Sequence, residues 1–321
     1  MKVSTTEYVP IGADSGFIRV GTDTLRRERL LRVMRLHAAR RNDKCEKPRL
    51  RPRPTMESEW RHRRREQFLT VEIGFAPDVP DAAWRLLDTN PALLLHVDLA
   101  LDARWWETTQ GEVHAYVPMD TERLMYDLRI PRQPGRRSHD RKRREPVIDA
   151  LAFWAGLEIE GIWSPKGTKL RRPLVGRAWE WRTDHGGTDY RPGVSLQDGE
   201  WRRYNPHVGL VPSSILALPR RRNNLWTNFL ATYLAMMAPV NDYASYRVGT
   251  ERLAGDLALS TGEHAARFRE RLDAGLAPLI EVGLLSDWDY PRADMLEVTY
   301  ATTLRHASAG DPRSAPRHEA A

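Results

Sequence analysis

Two short stretches constrain the fold of this chain more than anything else in it. TERLMYDL at 121–128 and TERLAGDL at 250–257 agree at Thr121/Thr250, Glu122/Glu251, Arg123/Arg252, Leu124/Leu253, Asp127/Asp256 and Leu128/Leu257. In each copy the leucines lie four apart, one above the other on a helix. The glutamate falls in the first turn, where the helix dipole favours an acid. In a chain rich in Arg, Leu, Asp and Glu such a match is weak by itself, and the flanking sequence decides its meaning.

Those flanks run in parallel. Upstream of the first copy, NPALLLHVDLALDARWWE (90–107) reads as an apolar helix with Asn90 as cap and Pro91 in the first turn. Upstream of the second, NNLWTNFLATYLAMMAP (223–239) is another, ended by Pro239. Downstream of the second, a short turn leads to HAARFRERLDAGLAPLIEVGLL, where Phe268, Leu272, Leu276 and Leu279 form a stripe at helical spacing. Downstream of the first, a longer basic turn leads to a helix with Ile148, Leu151, Trp154 and Ala155 on its apolar side. Pro146 marks a candidate first turn there, with the arginines before it. Each unit then reaches a glycine followed by β-formers, GIW (161–163) and GLLSDW (283–288). Candidate return strands are VGRAWEW (175–181) and MLEVTY (295–300). Helix, short helix, turn, longer helix and hairpin, twice over, predict an α+β chain of two tandem winged helix-turn-helix domains. In that fold the second helix of the motif enters the DNA major groove.

The remaining sequence divides around these units. Residues 1–66 read as a basic N-terminal arm: a weakly structured lead to residue 24, an amphipathic helix at 25–39, a proline-broken KPRLRPRP, and the cluster EWRHRRRE. Between residues 24 and 66 there are 16 Lys and Arg against 6 Asp and Glu, a density that suits tracking a phosphate backbone. The first domain is expected over 67–205 and the second over 206–306. The Gly- and Pro-rich stretch 183–218 supplies turns and a linker, and 307–321 a disordered tail.

Charge separates the two units. From Arg129 to Arg182 there are 14 Lys and Arg against 6 Asp and Glu. They concentrate at the start of the second helix (Arg136, Arg137, Arg141, Lys142, Arg143, Arg144) and between the wing strands (Lys166, Lys169, Arg171, Arg172). From Thr250 to Tyr300 there are 5 Arg against 10 Asp and Glu. Here His264, Arg267, Arg269 and Arg271 lie on the expected recognition helix, with Arg267 pointing outward and the other two arginines on its flanks. Arginine suits base readout, yet arginines among glutamates also form ordinary pairs on exposed helices. DNA and protein therefore both remain open as the second unit's ligand.

This arrangement over about residues 85–300, with TERLAGDLALSTGEHAARFRERL and LIEVGLL, resembles the replication initiator proteins of plasmids and some phages. The resemblance implies binding to directly repeated origin sites, one winged helix per half of each repeat. It also implies a monomer active at the origin, a homodimer repressing its own gene, and recruitment of a host initiator and the replicative helicase. A winged-helix transcriptional regulator, or an interaction module that binds no DNA, are the alternatives.

Nothing points to catalysis. PKGTK (165–169) lacks the first glycine and the strand-to-helix setting of a phosphate-binding loop, and no His-x-His or His-Glu-x-x-His occurs. Asp184/His185 beside two glycines reads as a turn, and Tyr204 has no acid or metal cluster to activate it. No metal or cofactor is expected. Cys45 is the only cysteine, so no internal disulfide and no cysteine-based zinc site forms. No apolar run approaches the ~20 residues that span a bilayer, and the N-terminus lacks a signal pattern. A cytoplasmic protein without membrane partners is expected.

Overall fold

The computed structural model describes residues 9–21, 55–62, 65–75, 81–109, 121–135, 139–165, 176–177, 180–184, 187–191, 208–221, 224–257 and 265–309. The expected helix at 25–39, the proline-broken segment, and residues 310–321 of the expected tail lie outside them. The fold is α+β. Its elements are β1 Phe17–Gly21, β2 Thr55–His62, β3 Arg65–Phe75, α1 Asp81–Thr89, α2 Pro91–Thr109, α3 Thr121–Asp127, α4 Arg141–Gly156, β4 Leu157–Pro165, β5 Gly176–Arg177, β6 Glu180–Asp184, β7 Gly187–Arg191 and β8 Val208–Pro212. After a 3₁₀ turn at Ser213–Ala217 come α5 Leu225–Met237, β9 Ser245–Gly249, α6 Thr250–Asp256, α7 Ala265–Glu281, β10 Leu285–Arg292, β11 Met295–Tyr300 and α8 Thr302–Ala309.

Two helices buried on every side along most of their length organise the core. Every residue of α2 from Ala92 to Trp105 is buried, as is α5 from Thr227 to Ala235; a helix buried all round must be wrapped by other elements. Asn90 caps α2 through its side-chain oxygen, which accepts from the Leu93 amide at 3.2 Å, and Pro91 opens the helix. The α2 and α5 helices pack on each other, and one apolar cluster runs unbroken from Ile11 to Leu304. The leucines of the repeated segments sit inside it: Leu124, Leu128, Leu253 and Leu257 are all at most 2% exposed. Each contributes about 1.5–3 kcal/mol by burial.

Polar groups inside this core must be paired, and their partners tie distant segments together. Arg104 grips Asp127 with two nitrogens, one at 3.1 Å, and the Ile11 amide donates to the same carboxylate at 2.8 Å. Arg129 returns a hydrogen bond to the Ile11 carbonyl at 2.9 Å. Asp102 accepts from the Gly21 amide at 2.6 Å. Arg220, just after the 3₁₀ turn, donates to His96 Nδ1 at 2.8 Å and to the carbonyls of Leu128 and Leu216.

The N-terminal lead therefore differs from its expectation. Residues 17–21 form β1, antiparallel to β8 with Phe17 opposite Pro212 and Gly21 opposite Val208, and Ile18 and Val20 are buried. The residues of 208–218 expected to serve as linker form β8 and the turn after it, mostly buried. The physical reason is pairing: alternate apolar residues in FIRVG complete a two-stranded ribbon against the all-buried VGLVP.

In the second half, helix α5, strand β9, helices α6 and α7, and the β10–β11 hairpin follow in order. Their sheet runs β10-β11-β9. The stripe Phe268, Leu272, Leu276, Leu279 faces inward. At Gly275, α7 passes so close to α5 that an added Cβ would lie 2.8 Å from Leu230. The first half has α3 and α4 in the same order, but its sheet is β2-β3-β4-β5. The expected return strand at 175–181 is replaced there. Among the described residues of that stretch, 176–177 pair with β4, while 180–184 pair with 187–191. The long partner of β4 is β3, from Gln67 opposite Pro165 to Phe75 opposite Leu157. The hairpin that carries β3 straddles residue 66, where the basic arm was expected to end.

Candidate nucleic-acid interface

The first concentration of cations stands at the start of α4. Asp140 precedes the helix, and its side-chain oxygen accepts the Arg143 amide at 2.9 Å, the N-cap bond of this residue type. The helix thus begins five residues before Pro146, and Arg141, Lys142, Arg143 and Arg144 lie inside its first turn rather than ahead of it. That end of a helix carries positive partial charge, so cations there cost about 0.3–1 kcal/mol each. Three carboxylates answer: Glu145 meets Arg141 at 2.6 Å, Asp140 meets Arg143 at 3.6 Å, and Glu122 meets Arg144 at 2.5 Å.

These pairs are unequal. Arg141 is 90% exposed, and a surface pair of that kind is worth at most about 1 kcal/mol, so a phosphate can replace it. Lys142 is exposed. Arg143 also donates to the Pro131 carbonyl. Arg144 is the most committed, because Glu122 holds His139 as well, through ring Nδ1 at 2.8 Å and the backbone amide at 3.2 Å. His139 is buried, and its other ring nitrogen meets the Ile130 carbonyl at 2.8 Å. Partial burial pushes the Glu122 carboxyl up, but hydrogen bonds from His139 and Arg144 outweigh it and hold the group below the usual carboxylate range. The acid in the first turn of α3 thus braces the start of α4 across the intervening turn.

On α7, Arg267 is exposed. Arg271 is exposed too, its guanidinium 5.7 Å from the Trp226 ring centre. Arg269 is turned back toward the hairpin. It lies 4.3 Å over the Tyr290 ring, and its Nη2 donates to the Ala293 carbonyl at 3.0 Å. Asp273, one turn further on, accepts from Trp288 Nε1 at 2.8 Å and from the Tyr290 hydroxyl at 2.9 Å. Thr250 at the start of α6 donates its amide to the Asp294 carbonyl at 2.8 Å. Of the candidate residues, Arg136, Arg137, Lys166, Lys169, Arg171, Arg172 and His264 lie outside the described residues.

No family model matches the chain, and no curated protein matches it. Among solved structures it is similar to the crystal structure of selenomethionine derivatives of domain 2 and domain 3 of RctB. The TM-score is 0.45 and the identity 10%, over 86% of this chain and 97% of that one.

Two features escaped the sequence reading. One is the pair of carboxylate braces, Glu122 and Asp273; each acts on a residue 15–22 positions away, and no local pattern signals that. The other is the end of the four-stranded sheet. His62 pairs with Arg65, Arg61 with Glu66, and Gln67 with Pro165. Arg61, His62 and Arg65 therefore stand at the end of the sheet from which β4 leads on to Lys166. The register was the missing information. Among the described residues no helix is long and apolar enough to cross a membrane, and no cluster of His, Cys, Asp and Glu could hold a metal ion.

Proposed function

We propose that this chain is a sequence-specific double-stranded DNA-binding protein built on two winged helix-turn-helix modules, acting without catalysis as a replication initiator on repeated sites. The observation that carries the reading is the first turn of α4. Four consecutive cations are kept at the positive end of a helix, against the dipole, with Lys142 and Arg141 exposed. Such an end is disfavoured for folding and suited to phosphate. In the second half, the order α5, β9, α6, α7, β10, β11 with sheet order β10-β11-β9 supports the winged-helix reading, in which Arg267 would be offered to base edges.

Electrophoretic shifts on DNA from the protein's own locus test this reading. A complex is expected, and its affinity falls steeply with salt because each phosphate contact releases counterions. No complex at low salt, or a slope too shallow for several contacts, would sink it. Initiation is separated from transcriptional control by asking whether the gene plus adjoining repeated DNA maintains a plasmid. A second copy, a host initiator and a replicative helicase are the partners this role would require.

A further inference from the structure

The hairpin of the second half is fastened to the helix-turn-helix at three places. Asp273 Oδ1 on α7 accepts from Trp288 and Tyr290 on β10. Arg269 covers the Tyr290 ring and holds the Ala293 carbonyl at the hairpin turn. Thr250 holds the next carbonyl, that of Asp294, from the start of α6. All the bonds lie between 2.8 and 3.0 Å. Partial burial and Asp273 push the Tyr290 hydroxyl up, so it stays protonated and donates. Tyr290 and Asp273 are half-buried, which makes these hydrogen bonds stronger than exposed ones.

We infer that Asp273 is the positioning residue of the second module, locking its wing to α7 so that both meet DNA at one fixed angle, and that Arg269 belongs to this lock rather than to base readout. The inference rests on the DNA-binding reading above. Its physical content is preorganisation: a wing that swings must be ordered at each encounter, and a rigid one sets the register of the exposed Arg267 on the bases. Nonspecific affinity comes from phosphate contacts and does not need that angle, whereas discrimination between sequences does.

The test uses the full-length protein and duplexes with a random core. Wild type selects an enriched pool, and each variant's affinity for enriched over starting pool is measured. Asp273→Ala is expected to bind the starting pool within about twofold of wild type, while its preference for the enriched pool falls about tenfold, the discrimination of one good base contact. Asp273→Asn should recover most of that preference, because its amide oxygen still accepts both hydrogen bonds. A wild-type preference in Asp273→Ala, or an Asn variant as defective as the Ala variant, overturns the inference while leaving DNA binding intact. If Asp273→Ala fails to fold, Tyr290→Phe removes one hydroxyl and keeps the ring beneath Arg269. Its preference should fall, and an unchanged preference overturns the proposal. No enrichment by wild type overturns the DNA reading and this inference together.

Discussion

Arg129, Asp242 and Tyr243 all hold positive φ, at 55°, 51° and 54°, a conformation that costs a non-glycine residue roughly 1 kcal/mol. Two of them are placed for what their side chains reach: Arg129 the Ile11 carbonyl, and Tyr243 the Leu210 amide of β8 at 2.9 Å. Gly12 is the opposite case. Its φ is +67°, and an added Cβ would lie 2.7 Å from Ser213 Cβ and 2.8 Å from the Phe17 carbonyl. Gly12→Ala should therefore lower stability by at least about 2 kcal/mol in urea unfolding, combining backbone strain with a clash. His96 makes a pH prediction. Complete burial, then Arg220, holds its pKa well below 6.5, so in the folded state it stays neutral while the unfolded chain takes up a proton near pH 6.5. The unfolded state binds more protons in that window, so stability present above about pH 6.5 is lost as pH falls toward the folded pKa. Urea midpoints at pH 7.5, 6.5 and 5.5 should decline in that order, and His96→Gln should flatten the decline.

Along α4, the four cations divide into those braced within the fold and those left to a ligand. Arg141→Gln and Lys142→Gln should each reduce the salt slope of DNA binding by about one while leaving the melting temperature unchanged. Arg144→Gln should mainly destabilise, by about 1–3 kcal/mol in denaturant unfolding, since Glu122 loses a partner it holds together with His139. If all three variants change the slope alike, that division is wrong. Helices α2, α5 and α7 were legible in the sequence because their burial is periodic or continuous, and periodicity is local information. The inward turn of Arg269 was not. A helical wheel puts it on the flank, and its direction is decided by a carbonyl 24 residues away on a hairpin turn. The same limit explains why two nearly identical TERL segments differ in work: Glu122 braces α4, while Glu251 is exposed.

At the scale of the molecule, the two halves share one core, because β1 and β8 lie between them and Arg220 reaches from the second half's lead to Leu128 and His96. Unfolding should be a single cooperative transition, with tryptophan fluorescence and far-UV circular dichroism superimposing. Val20→Asp, which places a carboxylate at a position 0% exposed in β1, should shift that whole transition rather than part of it. Two resolved transitions in wild type would refute the shared core. The β1–β8 ribbon also has a consequence for synthesis. Its first strand leaves the ribosome about 190 residues before its partner, and at 5–20 residues per second that is a wait on the order of ten to forty seconds. Throughout that interval the backbone groups of β1 lack the ladder partners that β8 supplies, so the ribbon forms only once the chain has been made past Pro212.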